Sequence, residues 1–387
     1  MDLTSEIIQD GGMRILLLHD PYLPVIEGAV GGEDNLAELE SKTMLAMGHD
    51  VVDVRYFDKG LKRKFNQVRA QAFGSPSELS DLLASSKPDV IHTHNLNQRS
   101  GYSWMSSTKI PIVSSIHNYR LFCPASIAWR DGKACIECRD HTAVRALVHN
   151  CDGARGSLNA SRHLVFQKKQ PQINEPKLFL IASNLMENIL APLIPNSKFR
   201  ILRNPGVLTE MPASQIKKRD GWIFAGRFVA EKGIIDILNN WPETEKLDIA
   251  GDGPLKPEII QIIANKPNIN LVGTYPPGKN EIFLNYEGMI FGSSWFEGSP
   301  LVIVDCLGTG TPIICTDQSG AREQVELTGG GVVISGPLTV DKIAKSQLQI
   351  RENFQKMSQS AKHAIENDFS VDSWGKKLER YLLDAIV

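Results

Sequence analysis

No run in this 387-residue chain approaches the ~18–20 consecutive apolar residues of a bilayer-spanning helix, so no transmembrane segment is expected. Cysteine is sparse, six in all, and the first twelve residues, MDLTSEIIQDGG, lack the basic flank and apolar core of a secretory signal. Residues 1–12 are expected to form a disordered extension, and a cytoplasmic setting follows, where thiols stay reduced and need not pair. Low-complexity tracts and short-period repeats are absent from the sequence. Neither G-x-G-x-x-G after a first strand nor G-x-x-x-x-G-K-[ST] occurs, which argues against a dinucleotide dehydrogenase and a P-loop phosphotransferase. An excess of charge is also lacking: 42 basic against 44 acidic side chains leave a formal −2, which supplies no reason to expect nucleic-acid binding.

The near-neutral total is a cancellation. Residues 1–58 carry 12 acids and 3 bases (net −9), whereas residues 59–170 carry 17 bases and 7 acids (net +10). Lys59, Lys62, Arg63, Lys64 and Arg69 alternate with Leu61, Phe65, Val68 and Phe73 at helical spacing. Such a basic amphipathic helix serves either as a solvated face or as a peripheral contact with an anionic membrane.

What is present points to two cores, since domains cluster near roughly 100–200 residues. Arg14–His19 reads as a strand buried on both faces, then Gly31-Gly32 opens a helical pattern through Met47. Strands are expected again at 51–54, 89–92 and 112–117. The same grammar restarts at Gly221, with strands at 222–225, 246–250, 269–272 and 289–291, each ending at a glycine. Short apolar strands alternating with helical stretches predict an α/β chain of two doubly wound parallel sheets, with ligands at the carboxyl edges of the strands. Asn204-Pro205-Gly206 is the natural link between halves, and Trp374–Ile386 is amphipathic.

The chemistry concentrates in the second half. In Gly226-Arg227-Phe228-Val229-Ala230-Glu231-Lys232-Gly233, two cations five residues apart lie on a loop leading into a helix. A guanidinium fork, an ammonium and helix N–H groups there suit a diphosphate, although exposed Arg/Lys pairs are common for other reasons. Phe296-Glu297-Gly298-Ser299-Pro300-Leu301-Val302-Ile303-Val304-Asp305 places one carboxylate after an apolar strand and another eight residues on, within a helix. Such carboxylates accept hydrogen bonds from sugar hydroxyls, and the small residues between leave backbone N–H groups accessible. Taken singly, Glu297 also reads as a cap carboxylate and Asp305 as an exposed helix residue. No Asp-x-Asp in this half suggests a catalytic metal site.

GRFVAEKG, DIAGDGP and FEGSPLVIVDCLGTGTPII together resemble the donor lobe of the retaining nucleotide-sugar glycosyltransferases of family 4. Gly31-Gly32, PDVIHTH at 88–94 and SSIHNYRLFCP at 114–124 resemble its acceptor lobe, so the likeness runs from Met13 almost to the end. The resemblance implies a GT-B fold: two Rossmann-like doubly wound domains facing a cleft, residues 13–203 plus 372–387 on the acceptor side and 204–371 on the donor side. It places Arg227 and Lys232 on the donor diphosphate, with Gly32, Gly298, Ser299 and Leu301 offering backbone nearby. Glu297 matches the first glutamate of the family's Glu-x7-Glu motif, facing the donor sugar. Asp305 falls on the second, which holds ribose hydroxyls, but aspartate is one methylene shorter and its reach falls short accordingly. His117 matches the cleft histidine, with Tyr119 and Arg120 on the acceptor side, while His92 and His94 are expected to shape strand-end hydrogen bonding.

The implied activity is metal-independent transfer, with retention, from a UDP- or GDP-sugar to a glycan or lipid-linked acceptor of a surface polysaccharide or lipopolysaccharide pathway, at the inner face of the plasma membrane. A soluble small-molecule acceptor, a nucleotide-sugar epimerase and a non-catalytic nucleotide-sugar-binding protein are the alternatives. Separately, Cys123, Cys135, Cys138 and Cys151 form C-x11-C-x2-C-x12-C, which suits a structural zinc, ordinary loop thiols or a redox pair. Cys306 and Cys315, in apolar surroundings, read as core.

Overall fold

The computed structural model describes residues 12–19, 32–55, 77–95, 103–151, 171–210, 218–275 and 279–387. The basic run 59–73, Gly31 and residues 1–11 lie outside these. Two six-stranded sheets organise the chain. The first runs β2 (Asp50–Arg55), β1 (Arg14–His19), β3 (Val90–His94), β4 (Ile112–Ile116), β7 (Leu178–Ile181), β8 (Phe199–Ile201). The second runs β11 (Ile269–Leu271), β10 (Leu247–Ala250), β9 (Trp222–Ala225), β12 (Gly288–Phe291), β13 (Ile313–Thr316), β14 (Gly331–Ile334). Every described pairing within them is parallel. A small antiparallel hairpin, β5 (Trp129–Arg130) with β6 (Lys133–Ala134), stands apart.

The central strands are buried along their whole length, as apolar runs without alternation require when helices cover both faces. Register then does the positioning. His19 pairs with His94, and His94 with Ser115, so the carboxyl ends of β1, β3 and β4 finish in one row with His117 just beyond.

Helix starts are set locally: Ser183, Thr339 and Ser370 accept N–H bonds from Met186, Lys342 and Ser373. Ser370 opens the last helix, Val371–Ile386, whose Trp374, Leu378 and Leu382 pack with Met13, Ile15, Met44 and Val90 of the first lobe. The chain thus leaves the second lobe and ends on the first. Pro300 is the N-cap of the helix Leu301–Gly308, with extended backbone, one residue ahead of its first turn. The strand expected from residue 89 begins at Val90, because Asp89 directs its carboxylate onto the Arg14 N–H (2.8 Å).

Candidate active site

Beyond β9 the chain turns through Arg227 into a 3-10 turn, Ala230–Lys232, and then the helix Ile234–Asn240. Gly233 makes that turn with φ 67°, and a Cβ there would fall 2.0 Å from the Gly292 carbonyl oxygen, so only glycine lets the loop pass the end of β12. Arg227 is exposed and makes no side-chain hydrogen bond or ion pair among the described residues. Lys232 is half-buried. Its Nζ donates to Glu297 Oε1 at 2.8 Å and lies 5.6 and 5.9 Å from the ring centroids of Phe291 and Trp295. Glu297 is 6% exposed, so its charge is largely desolvated and Lys232 is the partner that offsets it.

The Glu297 loop is held from both sides. Its carbonyl accepts from Gly320 N–H at 2.8 Å, and Gly298 faces the first lobe so closely that a Cβ would lie 2.6 Å from Met186 Sδ. Ser299, expected to offer backbone to the donor, has a buried side chain bonded to the interlobe linker. Its hydroxyl accepts from Asn204 N–H (3.2 Å), and its carbonyl accepts from Asn204 Nδ2 (2.6 Å), because the interlobe linker's polar groups need partners once buried. Leu301 begins its helix against Gly32, the first residue of the helix Gly32–Ala46: a Cβ on Gly32 would sit 3.1 Å from Leu301 Cδ1. Two helix N-termini, one from each lobe, therefore meet across the cleft, and both favour an anion between them.

Asp305 lies further along that helix, half-buried, with Tyr275 Oη donating to Oδ2 (3.1 Å) and Asn280 Nδ2 to Oδ1 (3.3 Å). Burial pushes its carboxyl up to about 6, and the two hydrogen bonds only partly oppose that.

Facing these residues is a buried ladder in the first lobe. His117, whose N–H is fixed by Asn95 Oδ1 (3.0 Å), brings Nε2 to 2.9 Å from His94 Nδ1 with the rings stacked. His94 Nε2 is 2.8 Å from Glu40 Oε2, His92 Nδ1 makes a short bond to Glu40 Oε1, and His92 Nε2 reaches Ser115 Oγ at 2.9 Å. Burial pushes the Glu40 carboxyl up, but the His92 and His94 charges and hydrogen bonds outweigh it and hold the group well below the usual carboxylate range. Desolvation lowers His94, and lowers His117 further. The proton positions follow from partner logic. An ionised Glu40 accepts, so a neutral His94 carries its proton on Nε2 and bares Nδ1; His117 then carries its proton on Nε2 and leaves Nδ1 as an acceptor.

Glu40, His92 and His94 are the one group among the described residues whose potential ligand atoms lie within 4.8 Å of one another. One nitrogen of each histidine already hydrogen-bonds to a Glu40 oxygen, an arrangement that does not need an ion. Nearby, His19 Nε2 is 2.6 Å from Asp34 Oδ1, and burial pushes Glu33 up to about 7 against the pull of His19 and Arg120. Tyr119, expected on the acceptor side, is 1% exposed; it packs on Phe122 and, across the lobes, Phe296, and its hydroxyl has no described partner. With the lobes closed, the ring fills the seam between them. Arg120 is half-buried beside Glu33.

Lys232 and Glu297 are joined by an ion pair, Gly298 and Leu301 meet the first lobe at Met186 and Gly32, and Tyr119, two residues beyond His117, packs on Phe296 beside Glu297; Arg227 and Asp305 lie on the same loop and helix as Lys232 and Leu301. Sequence reasoning missed Glu40, whose only local signal is a carboxylate on the inward face of an amphipathic helix. It also missed Glu323, which accepts from Asn184 N–H (3.0 Å), Leu185 N–H (2.8 Å) and Arg203 Nη2 (3.0 Å) across the lobes.

The class defined by this geometry is the GT-B fold, two parallel-sheet Rossmann-like domains about a cleft. Residues 209–367, most of the second lobe, match the family model described as glycosyl transferases group 1. Over 121 residues the chain is 30% identical to TuaC of Bacillus subtilis (strain 168), ascribed to teichuronic acid biosynthesis as a glycosyltransferase; the match takes in 29% of this chain and 30% of that one. The chain therefore spans less than a third of this curated relative. Among solved structures, Anabaena Alr3699/HepE in complex with UDP superposes over 96% of this chain and 100% of its own, with TM-score 0.66 and 14% identity. Sucrose-phosphate synthase from Thermosynechococcus elongatus covers 95% and 97%, with TM-score 0.67 and 12% identity. At such identities the likeness is one of fold.

Proposed function

We propose that the protein is a retaining glycosyltransferase that moves a sugar from a nucleoside-diphosphate donor to a glycan or lipid-linked acceptor. The observation that carries this is the Lys232–Glu297 pair beside two converging helix N-termini. A desolvated lysine and an exposed Arg227 on one loop suit a diphosphate, while Glu297, released from Lys232 when the donor binds, suits sugar hydroxyls. The group 1 match over the same lobe supports the donor class, and the UDP-bound HepE structure supports a nucleotide there.

In the reaction the bond from the anomeric carbon to the β-phosphate oxygen breaks, its electron pair leaving with the nucleoside diphosphate. The acceptor oxygen forms its bond on the same face and passes its proton to the departing phosphate. Arg227, Lys232 and the helix start at Leu301 stabilise the growing charge in place, without reorganising during the step. His117, neutral and with Nδ1 as an acceptor, receives a hydrogen bond from a hydroxyl of the transferred sugar rather than presenting a second cation.

Similarity to TuaC favours a surface-polysaccharide acceptor, and the +10 charge of residues 59–170 suits approach to an anionic membrane. A thermal-shift screen against UDP-, GDP-, ADP- and dTDP-sugars, followed by a transfer assay in metal-free buffer with and without Mg2+, tests the reading. One donor should stabilise the protein and support transfer at a rate Mg2+ leaves unchanged. Stabilisation by none, or donor binding with no turnover, defeats it.

A further inference from the structure

The segment from Cys123 to Cys151 has no core of its own. Its buried residues are Pro124, Ala128, Ala143 and Ala146, all small, and its regular structure is a two-residue hairpin and two one-turn helices, Glu137–Asp140 and Val144–Val148. A segment that buries so little apolar surface requires another source of order. Its backbone is also costly. Of the six described non-glycine residues with positive φ, four lie here: Ser126, Ala128, Asp131 and Asn150.

Four thiols separated by as much as 28 positions nevertheless converge. Cys123, Cys135, Cys138 and Cys151 line a single cavity together with Arg130 and Arg145, and all four are free. Backbone N–H groups lie around these sulfurs, that of Ser126 donating to the Cys123 carbonyl (2.9 Å) and that of Cys135 to the Ala128 carbonyl (2.7 Å), which folds the loop over the cavity. The Arg130 guanidinium, which donates to Glu137 Oε1 (2.6 Å), lines the same cavity as Cys135 and Cys151.

We propose that these four cysteines bind one structural Zn2+ as a tetrathiolate. Binding replaces four S–H bonds with four Zn–S bonds and releases four protons, leaving a site of charge −2 that Arg130 and Arg145 offset. Soft ligands in a set of four select zinc among the common divalent ions. No three of the sulfurs lie within 4.8 Å of one another, so loading requires the two one-turn helices and the hairpin to bring them closer. The order this creates reaches the cleft: Trp129, on the hairpin, donates from Nε1 to Ser294 Oγ of the second lobe (3.3 Å).

The test is elemental analysis of the full-length protein purified without added metal, which does not depend on the donor or the acceptor. About one zinc per chain is expected. The Cys135→Ser and Cys138→Ser variants should lose it, while Cys306→Ser, in the core of the second lobe, retains it. Should the first two fail to fold, cobalt exchange into wild-type protein should give the intense thiolate charge-transfer and visible bands of a tetrahedral S4 site. Metal-free protein with four reactive thiols and no cobalt bands would falsify the proposal, as would bound iron or a Cys135–Cys138 disulfide found by peptide mapping.

Discussion

At the scale of single residues, Arg227 and Asp305 separate charge stabilisation from stability. Arg227 is exposed and free of described partners, so its removal should leave the fold alone. Arg227→Ala is expected to lower kcat/KM by about 10²–10³, the ~3–4 kcal/mol that one preorganised charge contributes to a transition state, with an unchanged melting temperature. Wild-type turnover would remove Arg227 from the leaving-group argument. Asp305 makes the converse case. Its folded carboxyl titrates near 6, raised from 3.8, so the folded state holds its proton more tightly than the unfolded chain does. Stability from this group is therefore greatest below about pH 4 and declines as pH rises through 6. The decline is on the order of 2–3 kcal/mol at 1.36 kcal/mol per unit. Asp305→Asn should raise the melting temperature at pH 8 and leave it unchanged at pH 4; no gain at pH 8 would mean the carboxylate is better solvated than its burial suggests. A charged group retained at such a cost is consistent with waiting for hydroxyl donors from a ligand.

Between elements, the most telling contact is Glu323, from the first turn of the helix Ala321–Thr328. It receives the first two N–H groups of the opposing helix Asn184–Leu190 and the Arg203 guanidinium. A carboxylate at a helix N-terminus satisfies donors that the helix itself leaves unpaired and meets the positive end of its dipole. Because the two helices belong to different lobes, this capping interaction also closes the cleft. Glu323→Ala is expected to increase the radius of gyration in small-angle scattering and to raise the donor KM several-fold, with kcat less affected. An unchanged radius and KM would show that the other seam contacts, Tyr119 with Phe296 and Trp129 with Ser294, hold the lobes unaided.

For the molecule as a whole, the last helix decides whether two lobes behave as one protein. Leu378 is fully exposed to neither solvent nor the second lobe: it is 0% accessible, among Ile15, Met44 and Val90. Gly375 allows the close approach, since a Cβ there would lie 2.7 Å from Thr43 Cγ2, and Glu379 reaches His49 Nε2 at 3.0 Å. Leu378→Ala should cost about 2–5 kcal/mol in denaturant unfolding, the range for a large apolar side chain deleted from a packed core. A cost below ~1 kcal/mol would mean the helix is not docked in solution.

Much of this was legible in the chain itself. Continuous apolar strands ending at glycines can satisfy their backbone and bury both faces only in a parallel sheet, so the α/β class and the two halves followed from local pattern. The Arg227–Lys232 loop and the Glu297–Asp305 run were equally visible, because their chemistry is carried by neighbouring positions. What local pattern cannot contain is pairing at a distance. Register between β1, β3 and β4 brings His19, His94 and His117 to one edge, and helix packing delivers Glu40 to His92 and His94 from 52 and 54 positions away. Burial made the remaining assignments: it bound the Ser299 hydroxyl to the linker and raised Asp305, because a polar group removed from water must find whichever partner the packed structure supplies, and it sealed the Tyr119 ring in the seam.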